Sequence, residues 1–512
     1  MNNELGGIAG DRRHWLKTAA CGFGWLALVG LEAETQRRAA LSGDSSALGD
    51  EPMPKNGRPA EQNVEGQNSA ERVAPGERRK PGPLGPHFAP RAKRVIFLFM
   101  DGGVSQVDSF DPKPRLKREN GEPFKAAIDP TQFANIGRTL ASPWEFRRHG
   151  QAGIEISDLF PNIGRMADEL CVVRSMTGQF PEHAQACYFL HTGHGLAGRP
   201  AVGAWASYGL GTDARDLPGF VVLNGGSLPL GGLPNYGSGF LPATHEGSLF
   251  NVGAQGPLID NLVPAAGQAA QREQLEFLRG ADERFGESLG AARGAVDAAI
   301  RNYELAAAMQ TSVPDVADLR DESATTLRAY GVDSADPIQA RYARECLLAR
   351  RLVERGVRFI EVSCAGGIRF VSPWDQHEDL VEMHAKNARI VDQPIAALLA
   401  DLKSRGLLDE TLIVWGGEFG RTPFAQGSNG RDHNPQGYSI WLAGGGVRGG
   451  MTYGATDDYG YRAVENVVSM HDLHATILHL LGVDHERLTF FHGGRHYRLT
   501  DVHGRVVREI LA

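Results

Sequence analysis

From residue 91 onward, short unbroken apolar runs alternate with longer stretches of helical periodicity. Val95-Ile96-Phe97-Leu98-Phe99-Met100 has no polar residue and stops at Asp101-Gly102-Gly103. A run of that length reads as a strand buried on both faces, with a polar loop at its carboxyl end. The helix-then-strand order recurs at 337–355 into 357–364, at 385–404 into 411–415, and at 162–169 into 171–174. Such alternation predicts an α/β fold with a mainly parallel sheet and helices on both sides. In open sheets of this kind ligands collect at the carboxyl ends of the strands. Residues 268–310 are rich in Ala, Glu and Arg, with few strand signals. They predict a helical insertion over about 265–330 whose charges form a solvated face.

The pattern fails at the amino end. Residues 34–90 hold almost no large apolar side chains, as in Gly43-Asp44-Ser45-Ser46 and Lys80-Pro81-Gly82-Pro83. That composition cannot offset its ordering entropy and predicts a disordered linker, leaving 91–512 as one folded domain. Before it, Arg12-Arg13 with Trp15 and Lys17 precede the mildly apolar stretch Ala19 to Leu31. Residues 1–33 resemble a twin-arginine export signal, which implies the twin-arginine export machinery as a partner and a periplasmic or cell-surface location. An uncleaved signal would be the sole membrane contact.

Charge and cysteine narrow the chemistry. With 53 Lys+Arg against 61 Asp+Glu, the net charge of −8 excludes nucleic-acid binding driven by bulk charge. The five cysteines include no C-x-x-C pair, so neither a disulfide framework nor a thiolate zinc site is indicated.

Four loops carry candidate chemistry. The first runs from Asp101 through Ser105 to Asp111, where a carboxylate directly after a buried strand suits a metal ligand. The second holds His183, with His191 and His194 close behind. The third is Trp374-Asp375-Gln376-His377, where imidazole plus carboxylate suits Zn or Mn better than Ca or Mg. In the fourth, Glu418 and Arg421 follow the strand 411–415, and Arg431 and His433 come soon after. The two guanidiniums are candidates for gripping an anion.

The order of these landmarks resembles a known family. Gly102-Gly103-Val104-Ser105-Gln106-Val107-Asp108-Ser109-Phe110-Asp111-Pro112-Lys113-Pro114, Gly417-Glu418-Phe419-Gly420-Arg421-Thr422-Pro423 and Gly430-Arg431-Asp432-His433 look like a sulfatase-like family known as domain of unknown function 1501, within the alkaline phosphatase superfamily. Phe160 to Met166 and Val468 to Leu478 resemble further superfamily passages. The resemblance covers about 91–512. It implies a three-layer α/β/α sandwich holding two divalent cations that activate a nucleophile and hydrolyse phosphate or sulfate esters. By position it makes Asp101, Asp375, His377, Glu418 and His433 metal ligands, and His183, Ser105 and Arg421 catalytic candidates, with Ser175 and Thr177 as other hydroxyls.

The departures matter as much. Phe419 stands where the superfamily places a metal-binding His, and His183 occupies the nucleophile slot. No cysteine begins a C-x-P-x-R motif, so formylglycine chemistry is not expected. Two functions remain open from the sequence. One is an exported metal-dependent hydrolase acting on an anionic ester or a sulfated or phosphorylated glycan. The other is a non-catalytic relative that binds an anionic polysaccharide or a partner protein at the cell surface.

Overall fold

Alternating side chains of one central strand feed two separate apolar layers, and this builds the sandwich. The structure is a computed structural model that describes residues 84–129, 136–252, 258–259, 262–264, 267–289, 293–364 and 372–512. The expected signal segment, and the linker up to residue 83, lie outside the described residues. The two larger sheets comprise, in chain order, β1 (Arg94–Phe99), β2 (Ile136–Thr139), β3 (Leu170–Thr177), β4 (Phe220–Leu223), β5 (Ser248–Phe250), β6 (Phe359–Ser363), β7 (Thr411–Gly416), β8 (Gly420–Gln426), β9 (Gly430–Asn434), β10 (Tyr438–Ala443), β11 (Met451–Tyr453) and β12 (Val468–Ser469). The main helices are α1 (His183–Thr192), α2 (Val202–Leu210), α3 (Gln268–Ser288), α4 (Arg293–Ala317), α5 (Pro337–Glu354), α6 (Leu380–Ser404) and α7 (Met470–Leu480).

The nine-stranded sheet has the order β11-β3-β10-β7-β1-β6-β4-β5, with β12 paired to β3. Only β10 runs antiparallel to its neighbours β3 and β7, so the sheet is mainly parallel, as the helix-strand alternation predicts. On β1, Ile96 and Leu98 pack with Leu347 and Leu352 of α5 and with Leu398 and Leu402 of α6. Val95, Phe97 and Phe99 pack on the other face with Leu190 of α1, Trp205 of α2 and Leu478 of α7. The unbroken apolar run is therefore explained: each side chain meets a helix layer, and each buried Val, Leu, Ile or Phe contributes about 1.5–3 kcal/mol. The architecture is a three-layer α/β/α sandwich.

Two details depart from the sequence reading. Residues 84–90, counted with the linker by composition, are pinned to the body: the N–H of Gly85 donates to the Gly209 carbonyl at 2.9 Å, and that of His87 to the Gly482 carbonyl at 2.8 Å. The stretch around His433 is the strand β9, which joins β8 and β2 in a small second sheet, β9-β8-β2. In the expected insertion, α3 and α4 are long helices and a shorter one follows at Ala324–Tyr330.

One buried charge stands apart. Glu345 of α5 is fully buried, with the Arg341 guanidinium and the Gly225 backbone as the groups that favour its charged form. Burial pushes its pKa up to about 8, against the pull of Arg341. Between its ordinary 4.5 and about 8 the folded chain keeps a proton that the unfolded chain has lost, so its contribution to stability falls as pH rises through that window. Glu345→Gln is expected to raise the melting temperature at pH 8 by at least about 2 °C more than at pH 5. Thermal melts at both pH values check this, and an equal change at both contradicts it.

Candidate metal centre

Three adjacent parallel strands deliver the first candidate ligands. β1 lies between β6 and β7, with Phe99 opposite both Ser363 and Gly416. The loops that leave their carboxyl ends therefore emerge side by side, bringing Asp101, Asp375 with His377, and Glu418 to one place. Close backbone approach depends on two glycines. Gly102 has φ +107°, and a Cβ there would lie 2.7 Å from the Asp375 nitrogen. A Cβ on Gly430 would collide with the His377 backbone, which explains why β9 can run under that loop.

The remaining candidates come from α1 and β9. His183 is the first residue of α1, and the Glu182 side chain caps the helix by accepting from the N–H groups of Ala184 and Gln185, both at 3.0 Å. Arg421 and His433 face each other across the antiparallel β8–β9 ladder. Cross-strand partners project to one face, and here both side chains end on Asp375.

Asp375 Oδ1 is the meeting point. It lies 2.9 Å from His377 Nε2, 3.1 Å from His433 Nε2, 3.2 Å from His183 Nε2 and 2.8 Å from Arg421 Nη2. The other ring nitrogens are committed. His433 Nδ1 donates to the Pro181 carbonyl at 2.5 Å, His377 Nδ1 meets the Gln426 side-chain oxygen, and His183 Nδ1 lies 2.7 Å from Glu418 Oε1. Glu418 also accepts from the Gly102 N–H at 3.1 and 3.2 Å. A second group, Asp101, Cys187 and Glu418, places one ligand atom of each residue within 4.8 Å of the others.

The charges are unbalanced in a way that calls for a cation. Burial, aided by Arg421, lowers the His433 pKa to about 3, so its ring is neutral. With Nδ1 holding the proton for Pro181, the Nε2 lone pair faces Asp375. Burial works against charge on Asp375, yet Arg421 and the imidazoles hold its pKa far below the usual carboxylate range. A lone pair thus faces an ionised oxygen at hydrogen-bond distance with no proton between them. Burial also opposes charge on His183, but Asp375 and Glu418 outweigh it and raise its pKa to about 9. Tetrahedral ligands on bonds of about 2.0–2.1 Å sit about 3.3 Å apart, close to the separations around Asp375 Oδ1. Each imidazole is also oriented through its second nitrogen, as metal-bound histidines are. His183, Asp375, His377 and His433 therefore fit a divalent ion.

The centre opens at one edge. The side chains of Asp375 and His377 keep 21% and 22% exposure, while those of His183 and His433 keep 5% and 1%. Phe419, which provides no ligand, stacks on the His433 ring with centroids 4.4 Å apart and packs against His183 at 5.0 Å. The imidazole of His183, from a different element, sits beside it among the ligands.

The structure brings together Asp101, His183, Asp375, His377, Glu418, Arg421 and His433, and leaves Ser105 apart. The Ser105 hydroxyl donates to Asp108 Oδ2 at 2.5 Å, and Asp108 in turn holds Arg431 at 2.7 and 3.1 Å. Ser175 and Thr177 donate to the carbonyls of Asn466 and Val468. Arg421 is fully buried and spends its donors on the carbonyls of Gly102, Gly103 and Arg431 and on Asp375. It positions Asp375 and, fully buried with four of its five N–H donors engaged, is closed to an anionic substrate, and Arg431 does not lie free either. His191 is structural, with Nδ1 on the Cys187 carbonyl at 2.7 Å and Nε2 3.1 Å from Glu361. Cys187, one helical turn on from His183, is buried beside Asp101 and Glu418, a proximity that the absence of C-x-x-C pairs hides and the spacing of four on one helix face signals.

Arg421→Met is expected to destabilise the chain by about 3–5 kcal/mol, because it strands buried carbonyls and the Asp375 charge. Urea unfolding measures it, and a loss below about 1 kcal/mol would assign Arg421 only the value of a surface pair.

The sequence profile of the family described as "Protein of unknown function (DUF1501)" matches residues 92–511. No curated protein matches the chain. Among solved structures, the lipoteichoic acid synthase LtaP from Listeria monocytogenes is similar at 9% identity and TM-score 0.34, covering 77% of this chain and 74% of that one. The PsFucS1 sulfatase from Pseudoalteromonas sp. is similar at 15% identity and TM-score 0.32, covering 77% and 69%. The alkaline phosphatase from the Antarctic bacterium TAB5 is similar at 11% identity and TM-score 0.34, covering 76% and 98%. Likenesses this distant say nothing about activity.

Proposed function

The chain belongs to the DUF1501 family of proteins of unknown function, and we propose that it is an exported, metal-dependent hydrolase of phosphate or sulfate esters. The observation that carries this reading is the convergence of three imidazole Nε2 atoms on Asp375 Oδ1. Three nitrogens and one carboxylate oxygen suit Zn or Mn better than Ca or Mg. Such an ion, when bound, polarises an ester oxygen and makes water a nucleophile at neutral pH.

The chain's own residues define the rest. The exposed edge at Asp375 and His377 is the approach for an anionic ester, with a sulfated or phosphorylated glycan as the substrate class. The Ser105, Ser175 and Thr177 hydroxyls are each engaged elsewhere, and no C-x-P-x-R cysteine is present, so the nucleophile is water. His183, held between Glu418 and Asp375, is the group placed to hold or pass a proton beside that edge. Arg421 keeps Asp375 ionised and aimed. Export rests on the Arg12-Arg13 pattern and would deliver the enzyme to the periplasm or cell surface.

A second reading, a non-catalytic protein that binds an anionic polysaccharide or a partner protein, draws support from one finding. Phe419, which stands where the superfamily has a metal-binding His, stacks on the His433 ring and provides no ligand atom.

Elemental analysis of the full-length chain, purified without chelators, tests the first reading beside a screen of aryl phosphates and aryl sulfates. At least one Zn or Mn per chain is expected, with hydrolysis that falls at least about 100-fold, together with metal content, in His433→Ala. Absence of metal and of uptake from added Zn or Mn would overturn it. Bound metal without hydrolysis of any ester would favour the binding protein.

A further inference from the structure

The arginines of α5 divide into two sets. Arg350 and Arg351, towards its carboxyl end, pair with Glu322, Glu354 and Asp401. Arg341 and Arg344, in its first half, have no hydrogen-bond or ion-pair partner among the described residues, and Arg341 Nε is buried. Both line an open cavity of about 530 Å³ beside Val332, Ser334 and Ile338. That volume suits a small ligand or one unit of a larger chain. Residues three apart share a helix face, so the two guanidiniums flank the same space.

The cavity lies at the end of the sheet that carries the imidazole centre. α5 leads through Gly356 into β6, which sets its first turns beside the carboxyl ends of the strands. Gly226, just past β4, fixes the placement: its φ is +83°, and a Cβ there would lie 2.9 Å from Arg341 Nη1. β4 pairs with β6 and β6 with β1, so two strand spacings, about 10 Å, separate the ends of β4 and β1.

The surrounding charge favours an anion. Burial keeps Glu345 protonated up to about pH 8, so it leaves the neighbouring Arg341 without a counter-charge at neutral pH. Asp336 accepts from the N–H groups of Ile338 and Gln339 and so caps the helix itself, which leaves binding to the arginines. Asp333, exposed at the rim, is the one carboxylate lining the cavity, against two guanidiniums.

We infer that this cavity is an anion subsite, in which Arg341 and Arg344 hold a second sulfate or phosphate group of a glycan whose reacting ester lies at the imidazole centre. The inference deepens the hydrolase reading and rests on it. Guanidinium forks bind such oxyanions bidentately, and this pair supplies the grip that the committed Arg421 and Arg431 cannot. A ligand with a single charge fills one of the two places, so the chain selects multiply charged glycans.

Titration calorimetry of the full-length chain at pH 7, with short oligosaccharides of dextran sulfate, dextran phosphate and neutral dextran, tests the subsite. The charged oligosaccharides should bind and the neutral one should not, and the tighter of the two names the ester. Arg341→Gln with Arg344→Gln should weaken that binding at least about 10-fold, the value of one or more charge-assisted hydrogen bonds. Lysine at both positions should recover part of it, and His433→Ala should keep the arginine-dependent share. Unchanged affinity in the glutamine pair, or no binding of either charged oligosaccharide, would overturn the subsite. Arginine-dependent binding without hydrolysis of any ester would keep the cavity as an anion site and overturn the hydrolase reading instead. Phenylglyoxal labelling of the unmutated chain guards against a misfolded variant: bound dextran sulfate should protect Arg344, and equal labelling with and without it would contradict the assignment.

Discussion

The crowding of nitrogen atoms around Asp375 Oδ1 is the constraint on which the site depends. Four nitrogens from four separate parts of the chain lie 2.8 to 3.2 Å from that one oxygen. Arg421 supplies the fixed positive charge, and the imidazoles supply directional lone pairs. Remove the carboxylate and the fully buried Arg421 guanidinium is left beside the imidazoles without a counter-charge. Keep it without a cation and His433 presents a lone pair to an anion. The arrangement is satisfied only when a positive species sits among the imidazoles, whether the extra proton on His183 or a metal ion.

The sheet makes this crowding affordable in geometric terms. With β1 between β6 and β7, the carboxyl ends of the three strands lie side by side, and Gly102 lets the loop after β1 touch the backbone at Trp374 and Asp375, beyond β6. The small β9-β8-β2 sheet then sets Arg421 against His433. Rigid strands, not loops, thus hold the pair that clamps Asp375, which suits a centre requiring tight ligand positions.

Much of this was legible in the residues, and the reasons for what was not are physical. The apolar run at 95–100 had to be a strand buried on both faces, and the helix-strand alternation had to give a mainly parallel sheet. The metal-ligand types at strand ends were readable because carboxylates and imidazoles just past buried strands have few other reasons to be there. Tertiary commitments were not readable. Arg421 and Arg431 look like anion grips in one dimension, yet backbone carbonyls and Asp108 consume them. Ser105 looks like a nucleophile until Asp108 is found on its hydroxyl. The strand at 430–434 reads as a loop corner because its apolar content is nil; it is buried through ion pairs and hydrogen bonds rather than side-chain hydrophobicity.

The central claim is that His183, Asp375, His377 and His433 surround a metal ion. Anomalous diffraction at the zinc absorption edge, on crystals of the full-length chain grown with zinc, tests it most directly. The account expects a peak about 2.0–2.1 Å from the Nε2 atoms of His377 and His433 and beside Asp375. Electron density with Asp375 in direct contact with those rings, and no anomalous peak between them, would contradict it.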